Sequence, residues 1–128
     1  MKIRIRVRSD IMGERFNEFP AIYEDNSSCM KVIWKDKFEG DTEESIFEMN
    51  YNKVRKELVL TRKGPVKSTM TFKKGAKTRG TISTVHGTVP LEIDTATLMV
   101  PNAVTNILKI EYSLSEGIEN TYEAQLIF

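Results

Sequence analysis

The sequence predicts an all-β protein, an antiparallel meander of about 8–10 strands closed into a barrel. Val, Ile and Thr together number 33 of 128 residues, whereas Ala and Leu number 12. This ratio favours pleated structure over helix. Apolar residues recur at every second position in many segments, and no segment keeps a helical period. The length suits one domain over residues 1–128.

The first predicted strand is the clearest element. Residues 2–8, KIRIRVR, alternate apolar and basic side chains, so one face is apolar and the other is basic. Nine further strands follow, and short turns that contain Gly, Asn or Asp separate most of them. They are predicted at residues 30–38, 44–51, 54–62, 65–73, 77–84, 88–94, 96–101, 106–114 and 120–128. A meander of this length closes on itself because an open sheet would leave two unprotected edges.

Residues 10–29 interrupt this pattern. The segment is polar, contains Gly13 and Pro20, and shows no clean alternation of apolar residues. We predict a long loop whose aromatic side chains pack over one mouth of the barrel or along its side. Two further prolines, Pro90 and Pro101, fall inside predicted strands and indicate bulges, edge positions or early strand ends.

Composition excludes several classes of protein. One Cys and one His cannot form a disulfide framework or a Cys/His zinc site within one chain, so we expect no metal and no cofactor. No apolar run approaches the ~18 residues that span a bilayer. The N-terminal residues also lack the apolar region of a signal peptide. We therefore expect a cytoplasmic protein without a membrane partner.

Charge is sorted along the chain. The net charge is +4 for residues 1–9, −7 for 10–52, +9 for 53–79 and −5 for 80–128. One interpretation is a basic wall that attracts an anionic partner. The alternative is that outward-facing basic and acidic residues pair across neighbouring strands. Nucleic acid is a disfavoured partner because few exposed rings are predicted for base stacking.

Five short motifs resemble those of the YwiB-like family, small bacterial proteins of unknown function grouped with the calycin, or lipocalin-like, barrels. The motifs are LTRKG at 60–64, VKSTMTF at 66–72, KTRG at 77–80, TVHG at 84–87 and IEYSL at 110–114. The resemblance implies a bacterial protein with a calycin-like barrel. It brings no established activity with it.

Arg79 carries the main binding hypothesis. Strict alternation places Arg79 on the outer face, where it pairs across strands. The alternative is a β-bulge at Gly80, which would turn Arg79 inward. An inward guanidinium needs a buried carboxylate or a bound anion. Inward-facing Ser68 and Tyr112, with Arg62 near a strand end, would then complete an anion-binding pocket.

Two other residues have both a functional and a structural interpretation, and a third has only a structural one. His86, in a predicted turn, either contacts a ligand at the barrel rim or is an ordinary solvated side chain. Cys29 is either a reactive thiol or a small buried or loop residue, and no cation adjoins it in sequence to lower its pKa. Trp34 shares a face with Met30 and Val32 and is assigned to the core.

Two functions remain open. The first is a barrel that binds a small ligand, anionic if Arg79 faces inward, in or at its mouth. The alternative is a structural or protein-interaction barrel with a filled interior and no ligand. An enzyme is disfavoured because the sequence contains no Ser/His/Asp spacing, phosphate loop or paired-carboxylate motif.

Overall fold

A computed structural model describes residues 1–9, 13–36, 43–115 and 117–128. Within these residues the chain forms ten antiparallel strands and no helix. Each strand pairs with the next, and β1 pairs with β10, so the sheet closes into a barrel. The predicted closed antiparallel meander is confirmed. The strands are β1 (Lys2–Ser9), β2 (Gly13–Asp25), β3 (Cys29–Asp36), β4 (Ser45–Asn52), β5 (Glu57–Lys63), β6 (Lys67–Phe72), β7 (Lys77–Thr84), β8 (Gly87–Met99), β9 (Ile107–Leu114) and β10 (Ile118–Ile127).

Two predicted elements are wrong, and the two errors cancel in the strand count. Of the predicted loop 10–29, residues 10–12 lie outside the described residues, and Gly13–Asp25 form β2, which pairs with both β1 and β3. Conversely, residues 88–94 and 96–101 are not two strands but one, β8. A register shift between Thr95 and Thr97 interrupts β8. One extra residue at such an irregularity moves the inward-facing side chains from odd to even positions. In the sequence, that change looks like the end of one strand and the start of another.

The prolines behave as predicted for strand edges and ends. Pro90 lies in the part of β8 that pairs with β7, before the pairing with β9 begins at Ile93. On the side toward β9 this part of β8 is unpaired, so the missing N–H of Pro90 removes no hydrogen bond between strands there. Pro101 lies just beyond the end of β8 at Met99.

The middle of the barrel is packed with inward-facing side chains. Ile5, Phe72 and Ile110 are fully buried, so no water-sized space adjoins them. Trp34 is also buried, as predicted, and its ring stacks on Phe47 with 5.4 Å between centroids. The other buried apolar residues are Ile3, Val7, Ala21, Met30, Val32, Met49, Leu58, Ile93, Leu108, Tyr112, Tyr122, Ala124 and Leu126.

Charged side chains on the outer face pair across strands. The basic strand β1 lies between β2 and β10. Arg4 contacts Glu18 of β2 at 2.7 Å, and Arg8 contacts Glu123 of β10 at 2.6 Å. Pairing across neighbouring strands is one of the two interpretations given above for the uneven distribution of charge along the sequence.

The turns lie alternately at the two ends of the barrel. We call one end the upper mouth: it holds residues 26–28, 53–56, 73–76 and 100–106, the start of β1 and the end of β10. The opposite end, where β5 ends and β6 begins, is the lower mouth. No helix in the described part of the chain could cross a bilayer.

Candidate functional site

A cleft of 710 Å³ opens at the upper mouth. Its volume is typical of small-molecule sites. Met30 lines the cleft and also belongs to the packed core, so it forms the floor between the two. The lining residues are Tyr23, Asp25, Met30, Tyr51, Lys53, Val100, Pro101, Asn102, Ala103, Asn106 and Phe128.

Strand alternation brings the aromatic side chains to this cleft. Asp25 and Tyr51 are the direct strand partners of Met30, on β2 and β4 respectively. Tyr23 lies two residues before Asp25 and therefore on the same, inward face of β2. The ring of Phe128 meets that of Tyr23 edge to face, with 5.0 Å between centroids. The aromatic walls of the cleft are thus formed by inward-facing side chains near the upper ends of the strands.

A charged pair forms the polar side of the cleft. Lys53 Nζ donates to Asp25 Oδ1 at 2.5 Å and to the carbonyl oxygen of Asn26 at 2.6 Å. The Tyr23 hydroxyl donates to Asp25 Oδ2 at 3.1 Å. Lys53 holds the pKa of the Asp25 carboxyl below its usual range. Burial raises the pKa of the Tyr23 phenol, and the hydrogen bond and charge of Asp25 raise it further. At neutral pH the cleft therefore presents an Asp25 carboxylate, which contacts Lys53, and a protonated Tyr23 phenol.

Two turns at the rim are held by asparagine side chains. Asn52 Oδ1 accepts from the backbone N–H groups of Val54 at 3.0 Å and Arg55 at 2.9 Å. In the segment 100–106, Asn102 Oδ1 accepts from the N–H groups of Val104 at 2.8 Å and Thr105 at 3.1 Å. Such side-chain-to-backbone bonds satisfy backbone N–H groups within the turn itself and so order it. Both rims of the cleft are therefore ordered local structures.

The pocket predicted around Arg79 is not assembled as an interior site. β7 keeps its register with β8 through Gly80, so the alternative with a β-bulge at Gly80 is wrong. Arg79 is exposed on the outer face, opposite Glu92 of β8. Gly80 has another role: a Cβ there would lie far inside van der Waals contact with the backbone carbonyl oxygen of Thr69.

Of the other predicted site residues, only Arg62 and Ser68 are brought together. They are direct strand partners at the lower mouth. Arg62 Nε donates to Ser45 Oγ at 3.4 Å, and its guanidinium lies 5.7 Å from the centre of the Phe47 ring. Ser45 is fully buried, so the guanidinium is anchored to the barrel wall.

Tyr112, His86 and Cys29 lie elsewhere. Tyr112 is buried and packs edge to face on Phe72, with 4.9 Å between ring centroids. His86 is exposed in the turn between β7 and β8. Cys29 is half-buried, and Asn26 Nδ2 lies 3.7 Å from its sulfur. Among the described residues, no three His, Cys, Asp or Glu side chains are placed to hold a metal ion.

Sequence reasoning missed the residues of the upper cleft. Tyr23 and Asp25 fell in the segment predicted as a loop, although Phe19, Ala21 and Tyr23 do alternate. That alternation was the available signal for β2. The contact of Asp25 with Lys53 joins residues 28 apart, and no local pattern encodes such a contact.

Comparison with known proteins identifies the family. Residues 15–127 match the model of a family described as Domain of unknown function (DUF1934). The chain belongs to this family. The DUF1934 barrel is also similar to the crystal structure of the ywiB protein from Bacillus subtilis, with a TM-score of 0.77 and 17% identity, over 98% of this chain and 90% of that chain. The resemblance to the YwiB-like family is thereby confirmed. No curated protein matches the chain.

Proposed function

We propose that this barrel binds a small, mainly apolar molecule at its upper mouth. The observation that carries the proposal is the 710 Å³ cleft, which combines three aromatic rings with the Asp25–Lys53 pair. Ligand sites typically combine apolar walls with a few fixed polar groups in this way. The resemblance to the YwiB-like family and the single cysteine support a bacterial, cytoplasmic protein with a calycin-like barrel.

The chemistry of the cleft indicates the class of ligand. Tyr23, Tyr51 and Phe128 offer ring faces and edges to a flat or aliphatic body. An ammonium has three N–H donors, and Lys53 uses two of them on Asp25 and Asn26. The third suits an acceptor group such as a carboxylate, sulfonate or carbonyl. We therefore propose an amphiphile with an apolar body and one acceptor group.

A barrel without any small ligand is the second candidate. The packed middle favours it, because the fully buried side chains there leave no water-sized space beside them. The same packing favours a ligand at the mouth over one in the interior. The lower mouth is the weaker location, because Arg62 already contacts Ser45 and Phe47 there.

Titration with 8-anilinonaphthalene-1-sulfonate (ANS) tests the proposal, because this probe combines an aromatic body with one acceptor group. We expect wild-type protein to bind it with enhanced fluorescence and to unfold at a higher temperature in its presence. Tyr51→Ala and Lys53→Met should each weaken binding about tenfold, the loss of roughly 1.4 kcal/mol. Far-UV circular dichroism should show both variants folded.

Phe16→Ala is the matched control. Phe16 is an aromatic residue of the outer face, where Arg6 and Arg8 lie 4.9 and 4.6 Å from its ring centre. The outer face therefore offers the same probe a ring and two cations away from the cleft. We expect Phe16→Ala to bind like the wild type. Loss of binding only in Phe16→Ala, or absence of binding by the folded wild type, would overturn the proposal.

A further inference from the structure

The rim of the upper mouth exposes four apolar side chains at three places, the tips of two turns and the neighbourhood of Tyr23, which both Met1 and Phe128 contact. Val54 is 81% exposed and Val104 is 94% exposed, at the tips of two turns. Met1 is 74% exposed and Phe128 is 61% exposed. Val54 follows Lys53 and Val104 follows Ala103, and both of these neighbours line the cleft, as Phe128 itself does. The exposed apolar residues therefore surround the cleft and are spread around one mouth.

Basic residues flank one of these tips, Val54, and also occupy the next turn of the upper mouth, between β6 and β7. Residues 53–79 contain ten basic side chains and one acid, Glu57. The structure places six of the ten at the upper mouth, on the turn after β4, the turn after β6 and the start of β7. They are Lys53, Arg55, Lys56, Lys73, Lys74 and Lys77.

Acidic side chains at this mouth neutralise only part of that charge. Glu57 lies 3.8 Å from Lys73 and so connects the two basic turns. Glu24 and Asp25 end β2 at the same mouth, where Lys53 contacts Asp25. Asp94 of β8 is the direct strand partner of Lys77. The six basic residues therefore exceed these four acidic ones at the two basic turns.

We propose that the upper mouth docks on the surface of an anionic lipid bilayer. In Lys53-Val54-Arg55-Lys56, an exposed aliphatic side chain is flanked by cations within one turn. This pattern suits the membrane interface, where cations meet lipid phosphates and apolar groups enter the acyl boundary. This proposal departs from the expectation of no membrane partner, which rested on the absence of a long apolar run. That absence concerns a spanning helix, whereas docking at the surface needs none.

Other macromolecules fit this rim less well. A nucleic acid site would present several rings for stacking, but only Phe128 of the four exposed apolar residues is aromatic. A protein partner usually covers one continuous apolar patch, whereas these tips belong to separate turns and chain ends. Docking turns the cleft toward the bilayer, so an amphiphile could pass directly between them. That consequence rests on the proposed function, but the docking itself does not.

Co-sedimentation with lipid vesicles tests the docking. We expect the protein to sediment with phosphatidylcholine vesicles that contain about one-third phosphatidylserine, to bind pure phosphatidylcholine weakly, and to lose binding as salt rises. The pair Val54→Ser/Val104→Ser should lower the partition coefficient about fivefold or more. Arg55→Glu/Lys56→Glu should lower it at least as much and remove most of the salt dependence.

Matched controls lie at the lower mouth. Val85 is 92% exposed in the turn after β7, and Lys63 and Lys67 are exposed beside the turn after β5. We expect Val85→Ser and Lys63→Glu/Lys67→Glu to bind vesicles like the wild type. All substituted residues are exposed, so the variants should fold, and circular dichroism checks this.

Three outcomes would overturn the docking. The first is that the protein does not bind the anionic vesicles. The second is that the lower-mouth controls lose as much binding as the upper-mouth variants. The third is that Val54→Ser/Val104→Ser leaves vesicle binding unchanged and single-stranded RNA competes for that binding. The last result would assign the rim to nucleic acid. Tyr51→Ala should lose ANS binding and keep vesicle binding, so the failure of one proposal can be told from the failure of the other.

Discussion

Neighbouring residues of β1 face opposite environments. Ile5 is fully buried in the barrel, between Phe19 of β2 and Leu126 of β10 in the strand register. The side chain of Arg4 is 50% exposed and contacts Glu18 at 2.7 Å. The period of two that the sequence shows is thus the period of burial in the structure.

Substitution of these two residues should give very different losses of stability. Ile5→Lys places an unpaired ammonium in the packed interior and should lower the free energy of unfolding by about 4 kcal/mol or more. Arg4→Glu removes an exposed ion pair and sets two acids diagonally across β1 and β2, which should cost about 1 kcal/mol or less. Urea denaturation measures both values. Similar losses for the two variants would contradict the facing of β1.

Gly80 determines the geometry of β7 at the scale of the element. The backbone carbonyl of Thr69 on β6 and Ile93 Cδ1 approach the place where a Cβ would stand, the latter to 3.2 Å. A glycine in a strand can indicate either a bulge or such a close approach of backbone, and the structure has the second. The side chain of Arg79 therefore keeps the outward face that strict alternation predicts.

Gly80→Ala should accordingly destabilise the barrel although the change adds only one methyl group. The carbonyl of Thr69 belongs to the pairing of β6 with β7 and cannot move freely. We expect a loss of about 1–3 kcal/mol in the free energy of unfolding. Thr81→Ala, at the next and exposed position of β7, is the control and should stay within about 0.5 kcal/mol of the wild type. If Gly80→Ala is as stable as Thr81→Ala, the close approach does not exist in solution.

The buried phenol of Tyr122 makes the stability of the whole barrel depend on pH. Burial raises the pKa of the Tyr122 phenol, and the nearby Tyr112 raises it further. In the unfolded chain a tyrosine ionises near its ordinary pKa of about 10. Ionisation therefore favours the unfolded state. The contribution of Tyr122 to stability is complete below pH ~10 and is lost as the pH rises above that value.

We therefore expect the urea midpoint of unfolding to fall between about pH 10 and 12, as this phenol ionises only in the unfolded chain. Tyr122→Phe removes the ionisable group and should show a smaller fall over the same range. Measurement at several pH values, with circular dichroism as the signal, compares the two proteins. An identical pH dependence in both would mean that another group causes the alkaline loss.

The sequence by itself determined the fold class and most of the inward-facing rows. The rows of β1, of Met30, Val32 and Trp34 in β3, and of Ile110 and Tyr112 in β9 follow from local alternation, because the facing of a strand residue depends only on its neighbours. Alternation predicted an inward-facing Ser68, whereas its pairing with Arg62 of β5 appears only in the structure.

The tertiary structure decided the cleft and the continuity of β8, and it revealed β2, for which the sequence shows only a short alternation. The polar outer face and Pro20 hid β2, and the irregularity at Thr95 reversed the alternation of β8. The cleft depends on Tyr23, Tyr51 and Lys53, which come from two strands and a turn and meet only when the strands pair. Pairing register is a property of two strands together, so no single stretch of sequence specifies which side chains meet across it.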